Sequence, residues 1–281
     1  MQNVELYLPN SHLTLRGIQN FEDGNPEIIA FHGWLDNCNS FVPMLAHLSD
    51  LKVLAIDFPG HGYSDHYPDG QVPYFHDLVY TIAEILETMD IESCTIMGHS
   101  MGGAAASLFA GSFPERVQSL ILLDSLGPIT TAEPDAPAKM KQAISTWLRH
   151  GKRANPIYED LKSASSTRQK SGNLNYEHAL LLSKRGTKEV DNGVIWANDP
   201  KMKLPSPALF SEAQVAAYLQ SIEAPTLLVL GKSSFLAKTS IIKDRSEYLR
   251  QHQSLWLDGG HHIHMEQSSQ CAKAVREFLM N

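Results

Sequence analysis

Residues 94–111 read CTIMGHSMGGAAASLFAG, a short apolar run joined to a long run of small residues through one turn. Thr95, Ile96 and Met97 suit a strand buried on both faces, and the segment from Ala104 to Ala110 suits a helix packed close to its neighbours. Between them Gly98, Ser100 and Gly102 give the pattern G-x-S-x-G. The pattern alone is weak, because three such common identities coincide in about one chain in ten of this size. Its setting is what counts: a nucleophile elbow needs a strand before, a helix after, and small residues where the strained turn crowds its neighbours. All three are present, and Ser100 is a candidate nucleophile.

Further apolar runs ending in Gly, Asp or Pro flank this segment: EIIAFHG (27–33), LKVLAIDFPG (51–60), SLILLDS (119–125), TLLVLGK (226–232) and SLWLDGG (254–260). Helical patterns lie between them. In YFHDLVYTIAEILETMD (74–90), Phe75, Leu78, Val79, Ile82, Ile85, Leu86 and Met89 follow the spacing of one apolar face. The segment 268–281 offers Cys271, Val275, Phe278 and Leu279 as the face of a last helix. Strands alternating with helices predict a mostly parallel α/β sheet. At the start, Val4, Leu6 and Leu8 alternate, PNS turns the chain, and Leu13 and Leu15 alternate again, which predicts an N-terminal β-hairpin.

The alternation breaks from Pro128 to about Ala216, where no apolar strand run occurs. APAKMKQAISTWLRH (136–150) and NYEHALLLSKRG (175–186) read as helices, with Gly186 where a cap is expected. Ser211 and Gln214 form a capping box for a further helix. The expected organisation is a core of 1–127 and 217–281 with a helical cap over 128–216.

The chain has 281 residues, 43% of them hydrophobic, enough for one large core. A net charge of -8 disfavours a nucleic-acid partner, which calls for a basic face. Neither a basic, apolar leader nor an apolar stretch of membrane-spanning length is seen, and Cys38, Cys94 and Cys271 are scattered without a zinc spacing. Reduced thiols in a cytoplasmic protein are expected.

Taken in order, FHGW (31–34), IDFPGHGYSD (56–65), GHSMGG (98–103) and GGHHIHMEQ (259–267) resemble the α/β-hydrolase superfamily over nearly the whole chain outside the insertion. RGTKEVDNG (185–193) is similar to the serine hydrolase-like group, related to the epoxide hydrolases but with serine where those carry an aspartate nucleophile. The resemblance implies backbone donors to an oxyanion at Trp34 and Met101, and a loop-shaping role for His32. Asp57, Gly60 and Gly62 look structural. The superfamily order of nucleophile, acid and histidine places the base after the last strand, and the Gly-His register selects His261, with Glu266 downstream.

The acid departs from the common pattern. Many members carry it after the strand that precedes the histidine strand, where this chain has Lys232, Ser233 and Ser234. One strand earlier, SLILLDSLGP (119–128) carries Asp124, and adjacent strands lie only about 4.8 Å apart. Some branches place their acid there, so Asp124 is the candidate and Asp244 the runner-up. Three histidines, His261, His262 and His264, crowd the last loop. Adjacent His261 and His262 point apart on an extended backbone, which leaves only His262 and His264 able to share a face. Neither a metal nor a cofactor is expected.

These residues imply a serine hydrolase acting on carboxylic esters with an apolar acyl or alkyl group through an acyl-enzyme. Cleavage of thioesters, lactones or carbon-carbon bonds, acyl transfer to other acceptors, and ligand binding without catalysis are the alternatives. Trp147, Leu148, Tyr158, Tyr176, Leu180, Leu181 and Trp196 are candidates to line an acyl pocket, and Lys139, Lys141, Arg149, Lys152 and Arg153 form a local basic group.

Overall fold

The computed structural model describes residues 1–149 and 156–280, so Lys152 and Arg153 lie outside the described residues. Continuous apolar runs become strands with both faces covered: β3 (Ile28–Phe31), β4 (Val53–Ile56), β5 (Cys94–His99) and β9 (Thr226–Gly231) are buried along their whole length. They are joined by β6 (Val117–Leu123) and β10 (His252–Leu257). The alternating N-terminal segment forms β1 (Gln2–Leu8) and β2 (Leu13–Gln19), an antiparallel pair.

These eight strands make one sheet in the order β1-β2-β4-β3-β5-β6-β9-β10. β2 meets β4 antiparallel, and every later pairing is parallel. The chain moves outward from β3 to β4, then returns to place β5 on the other side of β3. Such a reversal leaves a crevice at the carboxyl ends of the strands, the general place for a site in open α/β sheets.

Helices cover both faces: α1 (Val42–Leu45), α2 (Phe75–Thr88) and α3 (Met101–Ser112) come first. α4 (Ala136–Trp147), α5 (Leu161–Gly172) and α6 (Tyr176–Gly186) follow within the segment between β6 and β9. α7 (Glu212–Ser221), α8 (Ile241–Ser246), α9 (Ile263–Glu266) and α10 (Ser268–Leu279) complete the set. On one face Leu78, Ile82, Ile85 and Leu86 of α2 join Phe109 of α3 and Leu219 of α7 over the sheet. On the other, Cys271, Val275 and Phe278 of α10 pack with Met44 and Leu45 of α1. Full burial of each large apolar side chain contributes about 1.5–3 kcal/mol, which makes these two layers the main source of stability.

The 128–216 segment differs from the helical expectation by one element. Thr187–Val190 (β7) and Gly193–Trp196 (β8) pair as an antiparallel hairpin, separate from the main sheet. Both strands are only partly buried, so their sequence lacks the continuous apolar run that marks the core strands. Gly186 is not a helix cap here: α6 runs through it into β7, and a Cβ at this position would sit 3.0 Å from the Trp196 ring. Its hydrogen makes room for that indole. Ser211 and Gln214 do form the capping box of α7, whose Val215 and Leu219 enter the main core.

Side-chain amides fasten this segment to the loop after β3, with Asn37 donating to Leu182 O at 2.9 Å and Asn39 to Leu181 O at 3.1 Å. Beneath them Arg185 Nε donates to Asp57 Oδ2 at 2.7 Å in a buried pair. Asp57 also accepts the Cys38 and Tyr63 backbone N–H groups, so its charge is satisfied from three directions. Gly62 is required because a Cβ would run into that carboxylate, and its φ of 53° favours glycine as well.

Candidate active site

β5 delivers the chain to Ser100 at φ 49°, and α3 begins at the next residue. A Cβ on Gly98 would lie 2.5 Å from the Gly103 Cα, and one on Gly102 would collide with the Phe31 carbonyl at the end of β3. Glycine at both positions lets helix and strand close around the turn. The Gly102 N–H donates to His32 O at 3.1 Å and ties the turn to the loop that carries Trp34. Leu35 and Asp124 also hold positive φ, 58° and 47°. Non-glycine backbone of this kind costs about 1–3 kcal/mol per residue and collects where geometry matters more than stability.

Three side chains meet at the carboxyl ends of β5, β6 and β10. Ser100 Oγ is 2.8 Å from His261 Nε2, and His261 Nδ1 is 2.6 Å from Asp124 Oδ2. An ionised carboxylate only accepts, so Nδ1 carries the ring proton and Nε2 is free to accept from the serine hydroxyl. Asp124 is buried, whereas His261 keeps 23% of its side-chain exposure. That combination holds a charge in place behind an imidazole that solvent can reach.

Asp124 is supported from the position where the acid is absent. Ser234 Oγ donates to its Oδ2 at 2.5 Å, and the Gly231 N–H donates to its Oδ1 at 3.0 Å. β9 therefore supplies donors to a carboxylate carried by its neighbour β6. Lys232 turns outward to Asp258 at 2.8 Å. Asp244 is exposed on α8, and the structure does not bring it to His261. Sequence reasoning passed over Ser234, whose only signal is that a hydroxyl stands in the vacated segment.

The other candidates separate. Trp34 lies in the turn after β3 and donates its indole N–H to Met202 O at 2.8 Å; Met101 opens α3, where first-turn N–H groups lack an intrahelical acceptor. His32 is engaged through both nitrogens, with Gly33 O at 2.7 Å and the Phe58 N–H at 3.0 Å. Glu266 accepts the Gly260 N–H at 2.8 Å and shapes the loop below His261. Phe235, half-exposed like Trp34, lies 4.9 Å from the His261 ring. His262 turns away to Asp36, at 3.0 Å, and His264 is fully buried.

Four buried histidines make the fold sensitive to acid. Burial lowers His32, His99 and His264, the last two well below the ordinary value, and lowers His61 to about 3. In the unfolded chain they protonate near about pH 6.5. Below that pH the unfolded state binds more protons, so their contribution is fully present above about pH 6.5 and is lost as the pH falls. For His61 the loss continues to about pH 3. Each neutral histidine adds about 1.4 kcal/mol per pH unit to the slope. Urea midpoints measured from about pH 8 to about pH 5 should fall on the acid side, and a flat profile contradicts this reading.

Fold and site together define a hydrolase-type α/β protein, and known proteins agree. A family model of the alpha/beta hydrolase fold matches residues 26–268, and the chain belongs to that family. Its place is in the serine hydrolase-like branch. It is 30% identical to a serine hydrolase-like protein of Danio rerio over 91% of this chain and 82% of that one. With a serine hydrolase-like protein of Dictyostelium discoideum it shares 31% identity over 92% and 76% of the two chains. The crystal structure of a hypothetical protein from Pseudomonas aeruginosa PAO1 superposes with a TM-score of 0.93 at 33% identity, covering both chains completely. Hydrolase activity is the class of function these similarities support.

Proposed function

We propose that the protein hydrolyses carboxylic esters through an acyl-enzyme, with Ser100 as nucleophile, His261 as acid and base, and Asp124 as the residue that orients and charges the imidazole. The observation that carries this reading is the unbroken hydrogen-bonded chain from Ser100 Oγ through His261 to Asp124. Ser100 Oγ attacks the carbonyl carbon as its proton passes to His261 Nε2. The resulting oxyanion is held by the backbone N–H groups of Trp34 and Met101, a kind of donor worth about 10²–10³ in rate. Collapse breaks the bond to the alcohol oxygen, which leaves with the proton from His261. Water then gives a proton to the same nitrogen as it attacks the acyl carbon, and collapse breaks the bond to Ser100 Oγ, which takes that proton back from His261 as the acid leaves.

An apolar acyl or alkyl group is the favoured substrate feature. Half-exposed Phe235 lies beside the His261 ring and half-exposed Trp34 stands in the turn after β3, while the 128–216 segment, read as a cap, carries exposed Met140, Ile144 and Trp147 on one face of α4, followed by exposed Leu148. Free, buried Cys38, Cys94 and Cys271 fit a reducing, cytoplasmic setting, and among the described residues no helix is long and apolar enough to cross a membrane. Hydrolysis of p-nitrophenyl esters from acetyl to dodecanoyl tests the reading. kcat/KM is expected to rise with acyl length before it levels off; a protein that cleaves none of them, or cleaves them equally well without Ser100, contradicts it.

A further inference from the structure

Behind His261, three segments bring a carboxylate and two imidazoles into one buried pocket. Asp36 comes from the loop after β3, His99 from the end of β5, and His262 from the loop after β10. One ligand-type atom of each lies within 4.8 Å of the other two. Asp36 Oδ2 is 3.0 Å from His262 Nε2 and 3.9 Å from His99 Nδ1.

The protonation of His99 is fixed by its surroundings. Its Nε2 faces the His261 carbonyl at 2.9 Å, and a carbonyl can only accept, so Nε2 carries the proton. Nδ1 therefore presents a lone pair, is buried, and has no partner among the described residues. Opposite it stands another acceptor, Asp36 Oδ2.

Gly33 keeps a side chain out of this pocket. A Cβ on Gly33 would stand 2.8 Å from His99 Nδ1 and 3.3 Å from Asp36 Oδ2, and glycine leaves that place open. His264, whose ring nitrogens have no hydrogen-bond partner among the described residues, backs the pocket with its ring centroid 4.2 Å from that of His99.

We propose that Asp36 Oδ2, His99 Nδ1 and His262 Nε2 form a binding site for a borderline transition-metal dication such as zinc. Two imidazoles and one carboxylate suit zinc, cobalt or nickel better than calcium or magnesium, which prefer all-oxygen sets. Tetrahedral bonds of about 2.0–2.2 Å set ligand atoms about 3.4 Å apart, so the observed 3.0 and 3.9 Å need adjustments of about half an ångström. Binding needs the lone pair of His262 Nε2, which the neutral ring offers when its proton sits on Nδ1 instead of between Nε2 and Asp36. Bound there, the ion joins the segments that carry Trp34, Ser100 and His261, and it raises the melting temperature by mass action.

Arg168 gives the proposal a sharp test. Its Nη2 lies 2.5 Å from Asp36 Oδ1 and 3.5 Å from His262 Nε2, where it neutralises the carboxylate and opposes a second cation. Zinc is titrated calorimetrically into the chelator-treated full chain, with cobalt(II) absorption to read the donor set. The expected result is one equivalent bound, a cobalt spectrum without a thiolate charge-transfer band, and a higher melting temperature. Asp36→Asn and His262→Gln are expected to weaken binding at least about tenfold, while Arg168→Gln strengthens it. Circular dichroism establishes which variants fold, and the wild-type cobalt spectrum with Arg168→Gln decides the matter if the ligand variants do not. Absence of binding, thiolate ligation, unchanged affinity in a folded ligand variant, or weaker binding in Arg168→Gln overturns the proposal.

Discussion

Asp124→Asn is expected to lower kcat about 10⁴-fold while leaving Ser100 and His261 in place. The physical reason is the tautomer. With a carboxylate 2.6 Å away, His261 holds its proton on Nδ1 and offers Nε2 to the serine. An amide in the same place supplies no charge, and its NH2 group, once turned toward Nδ1, moves the ring proton to Nε2, where it blocks proton transfer. Ser234→Ala should act in the same direction and more weakly. A hydrogen bond to a charged group contributes about 1.5–3 kcal/mol, and a loss of about 1.4 kcal/mol felt in the transition state is tenfold in rate. Asp244→Asn, on exposed α8, should leave turnover near the wild-type value. Steady-state kinetics on one cleaved ester check all three, and a larger loss from Asp244→Asn than from Asp124→Asn reverses the assignment of the acid.

Ser100→Ala is expected to be the most damaging single change, about 10⁶-fold in kcat, because no other group takes over bond formation to the acyl carbon. The substitution removes one oxygen and leaves the elbow otherwise intact, since alanine is no worse suited than serine to a φ of 49°. Melting temperature should therefore stay close to wild type while turnover falls to background. Equal losses of activity and folding would point to a structural serine instead.

Much of this was legible in the sequence because it is written in local pattern. Continuous apolar runs mark β3, β5 and β9, where covered faces leave no room for polar alternation. Glycines around Ser100 mark a turn where helix and strand come too close for a Cβ. The less legible features depend on partners far apart in the chain. The β7–β8 hairpin is stabilised by neighbours rather than by a strong apolar pattern of its own, and Tyr158 extends it through backbone hydrogen bonds with Val194. Ser234 reaches Asp124 across 110 residues, and spacing along the chain carries no trace of that bond. The histidines show the same limit. Spacing pairs His262 with His264, whereas the fold turns His262 to Asp36, 226 residues away, and sets His99 beside both.

The central claim is that Ser100 is an activated nucleophile, and covalent labelling tests it most directly. Wild-type protein and Ser100→Ala are each treated with a fluorophosphonate and analysed by intact mass and peptide mapping. The expected result is a single phosphonyl adduct on Ser100 in the wild type, no adduct in Ser100→Ala, and strongly slowed labelling in Asp124→Asn. An unlabelled wild type, or an adduct that persists on another residue when Ser100 is absent, would contradict it.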